Sequence, residues 1–275
     1  MPTTELVYFG KPGSFTHLVA KKIPGKPRLV SRGTVQEVFE YVKQKKSRLG
    51  IVPIENSSSG MIPDTVDHLV GEKHGLIIQE EHAINVKLAL LGKKGRAIKK
   101  VYSHFAPFQH CQEWLKRHYP DAEQIIVEST SAAAMRAGRE RYAAAIAPRT
   151  AAVKYKLDVL QFPINERVPN RTQFFVLGHE KKQSGQARET SLSVILKNKV
   201  GSLCSFLKPF SDNGINLKRI ISRNIVGHPN TYVFFVGVEA PIGDAAMKKA
   251  MDEARTHCSE IRVLGSYPVY PPFES

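Results

Sequence analysis

The feature that most constrains this chain is a sustained alternation of short apolar runs with helix-period segments, which continues to residue 178 and then changes rhythm. Runs at 5–9, 49–52, 87–91, 101–102, 124–127, 143–146 and 172–177 read as strands; 35–44, 64–70, 109–118, 132–139 and 149–155 read as helices. Within 109–118, Cys111, Trp114 and Leu115 recur at i, i+3 and i+4 and so share one helix face. Strands alternating with helices predict a layered α/β domain.

The polar stretch 179–189, with Lys181, Lys182, Gln183, Ser184, Gly185 and Gln186, reads as a linker. Beyond it the pattern predicts a strand at 190–196, a helix at 202–210 closed by Asn213-Gly214, strands at 215–223 and 232–239, a helix at 245–257 and a last strand at 261–267. The order βαββαβ is the ferredoxin-like arrangement. The chain therefore divides into a domain over 1–178, a linker over 179–189 and a smaller domain over 190–275. A module this small buries little apolar area alone, so pairing with a second copy is expected.

Composition narrows the function classes. With 42% hydrophobic and 24% charged residues, the 275-residue chain is globular rather than disordered. No run reaches the roughly 18–20 apolar residues needed to span a bilayer, and Met1 to Glu5 lack a secretory pattern. The expectation is a soluble, cytoplasmic protein without a membrane partner. Cys111, Cys204 and Cys258 are odd in number and far apart, with no CxxC pair and no His at ligand spacing, so no metal site is expected. Forty Lys and Arg against 25 Asp and Glu give a net charge of +15. The basic clusters are short, scattered and free of interleaved aromatics, which argues against nucleic acid and for steering of a small anion.

Four times in the first domain a strand ends and small hydroxyl residues precede a helix: in residues 10–16, in 53–60, at Ser103, and at Ser129-Thr130-Ser131. Free N–H groups at helix starts attract anions, and hydroxyls add neutral donors; the plainer reading is that Ser and Thr are good N-caps. Ligands of α/β folds bind at the carboxyl ends of strands, which favours a cleft for a small acid. GxSxG, HExxH, P-loop and GxGxxG are all absent. Nucleotide cofactors are therefore not expected.

Five segments then identify a resemblance. Residues 10–17 (GKPGSFTH), 52–60 (VPIENSSSG), 103–115 (SHFAPFQHCQEWL), 129–133 (STSAA) and 170–174 (NRTQF) follow one another in order. They resemble the prephenate dehydratase patterns GxxGTFS, PIENS, SHPQxxxQC, STxAA and NxTRF. The C-terminal domain is similar to the ACT domain fused to that enzyme: Gly201-Ser202-Leu203 stands where ACT domains carry Gly-Ala-Leu, Ser222-Arg223 lies in the Glu-Ser-Arg-Pro segment, and 264–268 (LGSYP) matches the closing strand.

The resemblance implies two α/β lobes, 1–83 with 165–178 and 84–164, hinged like a type II periplasmic binding protein. It implies the conversion of prephenate to phenylpyruvate, feedback by phenylalanine, no cofactor, and a homodimer or tetramer. By the same resemblance Thr172, Asn56 and Ser103 are catalytic candidates, and His110, a departure from the family pattern, is added for its titratable ring. Ser14, Thr16, Glu55, Ser57, Ser129, Thr130, Arg171, Gln173 and Phe174 are candidates for holding substrate, and Gly201, Ser202, Leu203, Ser222 and Arg223 for the effector.

The departures carry their own expectations. Gln173 replaces an arginine, the natural bidentate carboxylate anchor. Arg171 points to the same strand face about 6.8 Å away, opposite to Thr172, and is the candidate substitute. Glu55 reads equally as a structural ion-pair partner. His110 replaces a glutamine and is either a proton donor or its hydrogen-bonding isostere. Ile221 and Asn224 replace the Glu and Pro of the effector segment, which leaves feedback open. Arogenate as substrate, an enzyme of altered specificity and a non-catalytic amino-acid sensor are the alternatives.

Overall fold

The computed structural model describes residues 4–71, 75–164, 169–179, 186–225, 227 and 231–275. Most of the expected linker and the loop at 226–230 therefore lie outside the described residues, apart from the ends of the linker and Gly227. The first lobe contributes β1 (Glu5–Phe9), α1 (Phe15–Ala20), β2 (Arg28–Arg32), α2 (Val35–Lys43), β3 (Arg48–Asn56), β4 (Gly60–Met61), α3 (Pro63–Gly71) and β5 (Ile77–Asn85). The second contributes β6 (Ala89–Gly92), β7 (Lys100–Ser103), α4 (Phe105–His118), β8 (Glu123–Ile126), α5 (Thr130–Arg139), β9 (Ala143–Ala147), α6 (Ala151–Tyr155) and β10 (Asp158–Gln161). The chain returns to the first lobe in β11 (Arg171–Gly178). It then builds the C-terminal domain from β12 (Glu189–Leu196), α7 (Ser202–Asp212), β13 (Leu217–Asn224), β14 (Tyr232–Val238), α8 (Ala245–Arg255) and β15 (Cys258–Tyr267), and ends in β16 (Phe273–Glu274).

Each unit has its own sheet. The first-lobe order is β16-β5-β11-β3-β1-β2 with β4 beside β3; the second-lobe order is β10-β6-β9-β7-β8; the C-terminal order is β13-β14-β12-β15. The third sheet is the antiparallel βαββαβ arrangement expected from the sequence. One face of it is covered by α7 and α8 around Phe206, Phe210, Met247 and Met251. Its other face lies on the first lobe, where Val233, Phe235, Leu264 and Tyr267 join a core with Val52, Ile54, Phe175 and Leu177.

Helix ends follow local chemistry. Thr34 and Glu37 form a complete capping box at α2, while Ser14 and Ser129 cap α1 and α5 by accepting from His17 N and Ala132 N. Helix α4 starts at Phe105, four residues before the sequence suggests, because Pro107 fits a first turn where its missing N–H costs nothing.

Two crossings join the lobes. They are tied to each other by Val86 N donating to Asn170 O (2.6 Å) and Ile164 N to Leu88 O (2.9 Å). The strand β5 went unread in the sequence because Gln79, Glu80, Glu81 and His82 look solvated, yet all four are buried.

Candidate active site

Strand β3 carries Pro53, which cannot donate to a ladder and is tolerated at irregular positions. The pairing with β11 slips there: Thr172 opposes Asn56 and Gln173 opposes Glu55, but Phe174 opposes Pro53. Directly paired residues share a face. Thr172 and Asn56 therefore occupy one side of the sheet, and Gln173 and Glu55 the other.

On the first side the Asn56 amide is fully engaged. Its Nδ2 donates to Thr172 Oγ1 (2.9 Å) and to Asn170 Oδ1 (2.8 Å). Its Oδ1 accepts from Ser58 N (3.0 Å) and Ser59 N (3.3 Å). These partners leave only one sensible orientation for the amide. The Thr172 oxygen thus accepts a hydrogen bond, and its own hydrogen stays free to donate outward. Ser57 closes the turn, accepting from Arg171 N (3.0 Å) and donating to Pro169 O (3.1 Å).

The second lobe faces the glycine turn of the first. A Cβ on Gly13, whose φ is +96°, would stand 3.9 Å from Ser131 Oγ. Lys154 of α6 donates to the Pro12 carbonyl at 2.9 Å. Ser131 is buried at the first turn of α5 with no partner for its hydroxyl, and His110 Nε2 is likewise buried and unpartnered. Ser131 was missed as a site residue, although it lies inside STSAA. The signal was the run of three hydroxyl residues, which exceeds what one N-cap requires. Asn170 was missed as well, despite opening the NRTQF segment.

Burial lowers the titration of His110 and His104 below the usual histidine range. His17 is lowered too, by burial first and then by the charges of Lys21 and Lys154. Neutral His17 accepts from Gly13 N at 3.0 Å through Nδ1 and so holds the glycine turn.

The remaining candidates fall in several places. Ser103 is fully buried and donates to Ile146 O at 2.8 Å. Thr16 and Thr130 are buried in their helices. Phe174 is a core residue, packed with Leu6, Ile84 and Ile146 rather than lining a cleft. Glu55 and Gln173, expected at the substrate, instead face the C-terminal domain: Glu55 accepts from Arg219 Nε (2.7 Å) and Gln173 donates to Glu81 (2.9 Å). Arg171, the expected substitute anchor, shares their side of β11 and donates from Nε to Asn85 Oδ1 at 3.1 Å. The pleat is the common cause, since 171 and 173 cannot share a face with 172.

Ser222 and Arg223 line a cavity of about 890 Å³ between α3 and the C-terminal sheet, with Asp67, His68, Val233 and Arg262. Arg223 grips Asp67 with two bonds, at 2.5 and 2.6 Å. Gly201, in a left-handed turn with φ +77°, and Ser202 open α7 elsewhere, beside half-exposed Leu203 and fully exposed Val200. A single chain does not gather the five effector candidates into one site. Among the described residues, no cluster of three or more His, Cys, Asp or Glu is placed to hold a metal, and no helix is long and apolar enough to cross a membrane.

A two-lobed α/β domain with a hydroxyl–amide pair beside its interlobe crossing, carrying a ferredoxin-like module, is the class of a small-molecule cleft with an appended ferredoxin-like domain. The chain belongs to the prephenate dehydratase family: the family model for prephenate dehydratase matches residues 6–182, and that for the ACT domain matches 190–255. A bifunctional chorismate mutase/prephenate dehydratase of Pseudomonas aeruginosa is 33% identical over 268 residues, 96% of this chain and 73% of that protein. The prephenate dehydratase of Methanocaldococcus jannaschii is 29% identical over 272 residues, 96% and 98% of the two chains. The crystal structure of the Arthrobacter aurescens prephenate dehydratase in complex with L-Phe superposes with a TM-score of 0.87 at 26% identity, over 96% of this chain and 90% of that one.

Proposed function

We propose that this chain converts prephenate to phenylpyruvate, with Thr172 as the hydroxyl that meets the departing group. The ring carboxylate leaves as carbon dioxide and its electron pair enters the ring. The C4–O bond breaks, and the departing hydroxide takes up a proton to leave as water. Aromatisation supplies much of the driving force, so the protein has to orient the ring and deliver that proton. The supporting observation is the Asn56–Thr172 pair: a threonine oxygen that already accepts a bond presents its hydrogen to a ligand. Polarisation along such a chain of bonds strengthens the outward one. A positioned acid contributes roughly 10² to 10⁴ in rate.

The unpartnered Ser131 hydroxyl and the first N–H groups of α5 are the proposed cradle for a carboxylate. The Ser129 hydroxyl is already engaged as the cap. Gln173 does not weaken this reading, because its side chain faces the ACT domain rather than the Thr172 side. The sensor and altered-specificity alternatives both draw on a carboxylate anchor lost at Gln173, and a side chain on the far face of the sheet does not favour either.

The reading extends to a cytoplasmic enzyme that responds to phenylalanine as a homodimer or tetramer. Three free thiols, Cys111, Cys204 and Cys258, suit a reducing compartment. Exposed Val200 and Leu203 beside the Gly201 turn suit a second ACT domain, and the relative from A. aurescens is named with L-Phe bound. The test is phenylpyruvate formation from prephenate by the purified chain, with Thr172→Ala as control and phenylalanine added separately. Native protein that binds phenylalanine but forms no phenylpyruvate would replace the enzyme by a sensor.

A further inference from the structure

The face of the first-lobe sheet behind Thr172 and Asn56 carries three side chains from three adjacent strands: Glu55 on β3, Gln173 on β11 and Glu81 on β5. Glu81 is completely buried. Buried carboxylates persist only when paired and hydrogen-bonded, and among the described residues of the first lobe the Glu81 side chain is bonded by the neutral amide of Gln173 alone, at 2.9 Å. The cation comes from the other domain. Arg219 of β13, itself 4% exposed, donates from both terminal nitrogens to the two oxygens of Glu81 at 2.9 Å each, and from Nε to Glu55 at 2.7 Å.

The ACT strand is shaped for this. The β13–β14 pairing shifts between Leu217 and Arg219, so Lys218 is the extra residue. A bulge lets two consecutive side chains point the same way, and Lys218 also reaches Glu81, at 3.1 Å, and pairs with Glu189. Opposite Arg219 stands Gly237, where an added Cβ would lie 3.4 Å from Arg219 Cβ. Burial pushes Glu81 upward, but Arg219 and Lys218 outweigh it and hold the carboxyl below its ordinary range. Glu189, at the start of β12, is raised by burial and by the charge of Glu81.

We propose that Arg219 of the ACT domain is a positioning residue of the dehydratase site, clamping Glu55 and Glu81 so that Asn56, next to Glu55 on β3, and Thr172, next to the Glu81-bonded Gln173 on β11, keep their mutual geometry. The physical ground is the irregular ladder. At Pro53 the β3–β11 register slips, so strand pairing alone specifies the following residues less tightly. A guanidinium anchored to β3 and β5, the two strands that flank β11, with Gln173 of β11 bonded to Glu81 between them, supplies the missing constraint from behind. It touches neither substrate nor the Thr172 hydroxyl. The same clamp lets a displacement of β13 reach the catalytic pair directly, which gives the sensing domain a route to the site.

This inference rests on the dehydratase reading for its kinetic arm only. Removing Arg219 alone strands a buried carboxylate and threatens folding, so the informative variant of the full chain is Arg219→Met with Glu81→Gln, beside Glu55→Gln and Arg219→Lys. Expected are a kcat for prephenate lowered roughly ten- to hundredfold in the double variant, a smaller change in KM, and partial recovery in Arg219→Lys. Hydrogen exchange should quicken at the Ser58 and Ser59 amides bound to Asn56, and not in β1 or the second lobe. A double variant that melts like the native protein and keeps both kcat and those exchange rates overturns the proposal. Where the double variant does not fold, Glu55→Gln decides by the same two readings. Should native protein fail to turn over prephenate, the dehydratase reading fails, while the exchange arm still decides the clamp.

Discussion

Asn56 and Thr172 face each other across adjacent antiparallel strands, with Asn56 Nδ2 donating to Thr172 Oγ1 at 2.9 Å. The direction of that bond gives the two residues different mutational signatures. Thr172→Ala removes the donor hydrogen and should lower kcat by roughly 10² to 10⁴. Thr172→Ser keeps a hydroxyl and should recover most of it. Asn56→Ala leaves the hydroxyl but frees its oxygen and releases the Ser58 and Ser59 amides, so a loss of about tenfold or more is expected. Steady-state phenylpyruvate formation measures all three. Equal kcat for Thr172→Ala and the native chain would remove the threonine from the chemistry.

The carboxylate cradle makes a separate claim. Ser131→Ala deletes an otherwise unpartnered hydroxyl and should raise KM for prephenate about three- to tenfold with little change in kcat. Arg171→Ala breaks the bond to Asn85 on the other side of β11 and should shift KM much less. The reverse ranking would place the anchor on Arg171 after all.

Acid should unsettle this protein through its histidines. His17, His104 and His110 all titrate below the ordinary histidine value in the folded chain, chiefly because burial disfavours the charged ring. The unfolded chain therefore binds protons first as pH falls. Stability from these groups is complete above about 6.5 and is lost as pH drops from there through the lowered folded values. Glu189, raised by burial, acts in the opposite sense above the normal glutamate range. A comparison of variants isolates the histidine part: His110→Gln should flatten the fall of the urea midpoint between pH 7.5 and 5.5. The kcat profile should stay level as pH falls through about 6.5 and below, the region in which His110, lowered by burial, takes up its proton. A break there that His110→Gln abolishes would assign His110 the proton-donor role.

How much of this was legible beforehand depends on the length scale. Residues 56 and 172 were found because their segments carry a recognisable pattern, and period-two alternation already placed 171 and 173 opposite 172. Applied equally to 55 and 56, that rule also turns Glu55 away. What the rule does not contain is the identity of the layer behind the sheet. A run such as Gln79-Glu80-Glu81-His82 normally is solvated; here Arg219 of the ACT domain neutralises Glu81, while Glu80 and His82, on the opposite face of β5, pair with each other and His82 stacks on Tyr270. Phe174 is next to the site by adjacency in the motif and shares the Thr172 face of β11, but lies further along the strand, in the hydrophobic core. Tertiary burial by a separate domain leaves no periodic trace in the strand it covers.

The chain after β15 offers a last test. It leaves the ACT domain, and Phe273 and Glu274 pair in parallel with Ile84 and Asn85 of β5. Ser275 then reaches the interlobe crossing, where Lys87 N donates to its Oγ at 2.7 Å, while Glu274 accepts from Asn85 at 3.0 Å and pairs with Lys87 at 3.1 Å. These bonds tie the ACT domain to the segment that joins the two lobes. The charged pair is exposed and contributes little, so the backbone pairing and the Ser275 bonds carry the attachment. Removing residues 273–275 should cost about 1–3 kcal/mol in urea unfolding and quicken amide exchange at 84–88, with β7 and β9 unaffected. An unchanged urea midpoint together with unchanged exchange at Val86 would show that this segment rests on the crossing without restraining it.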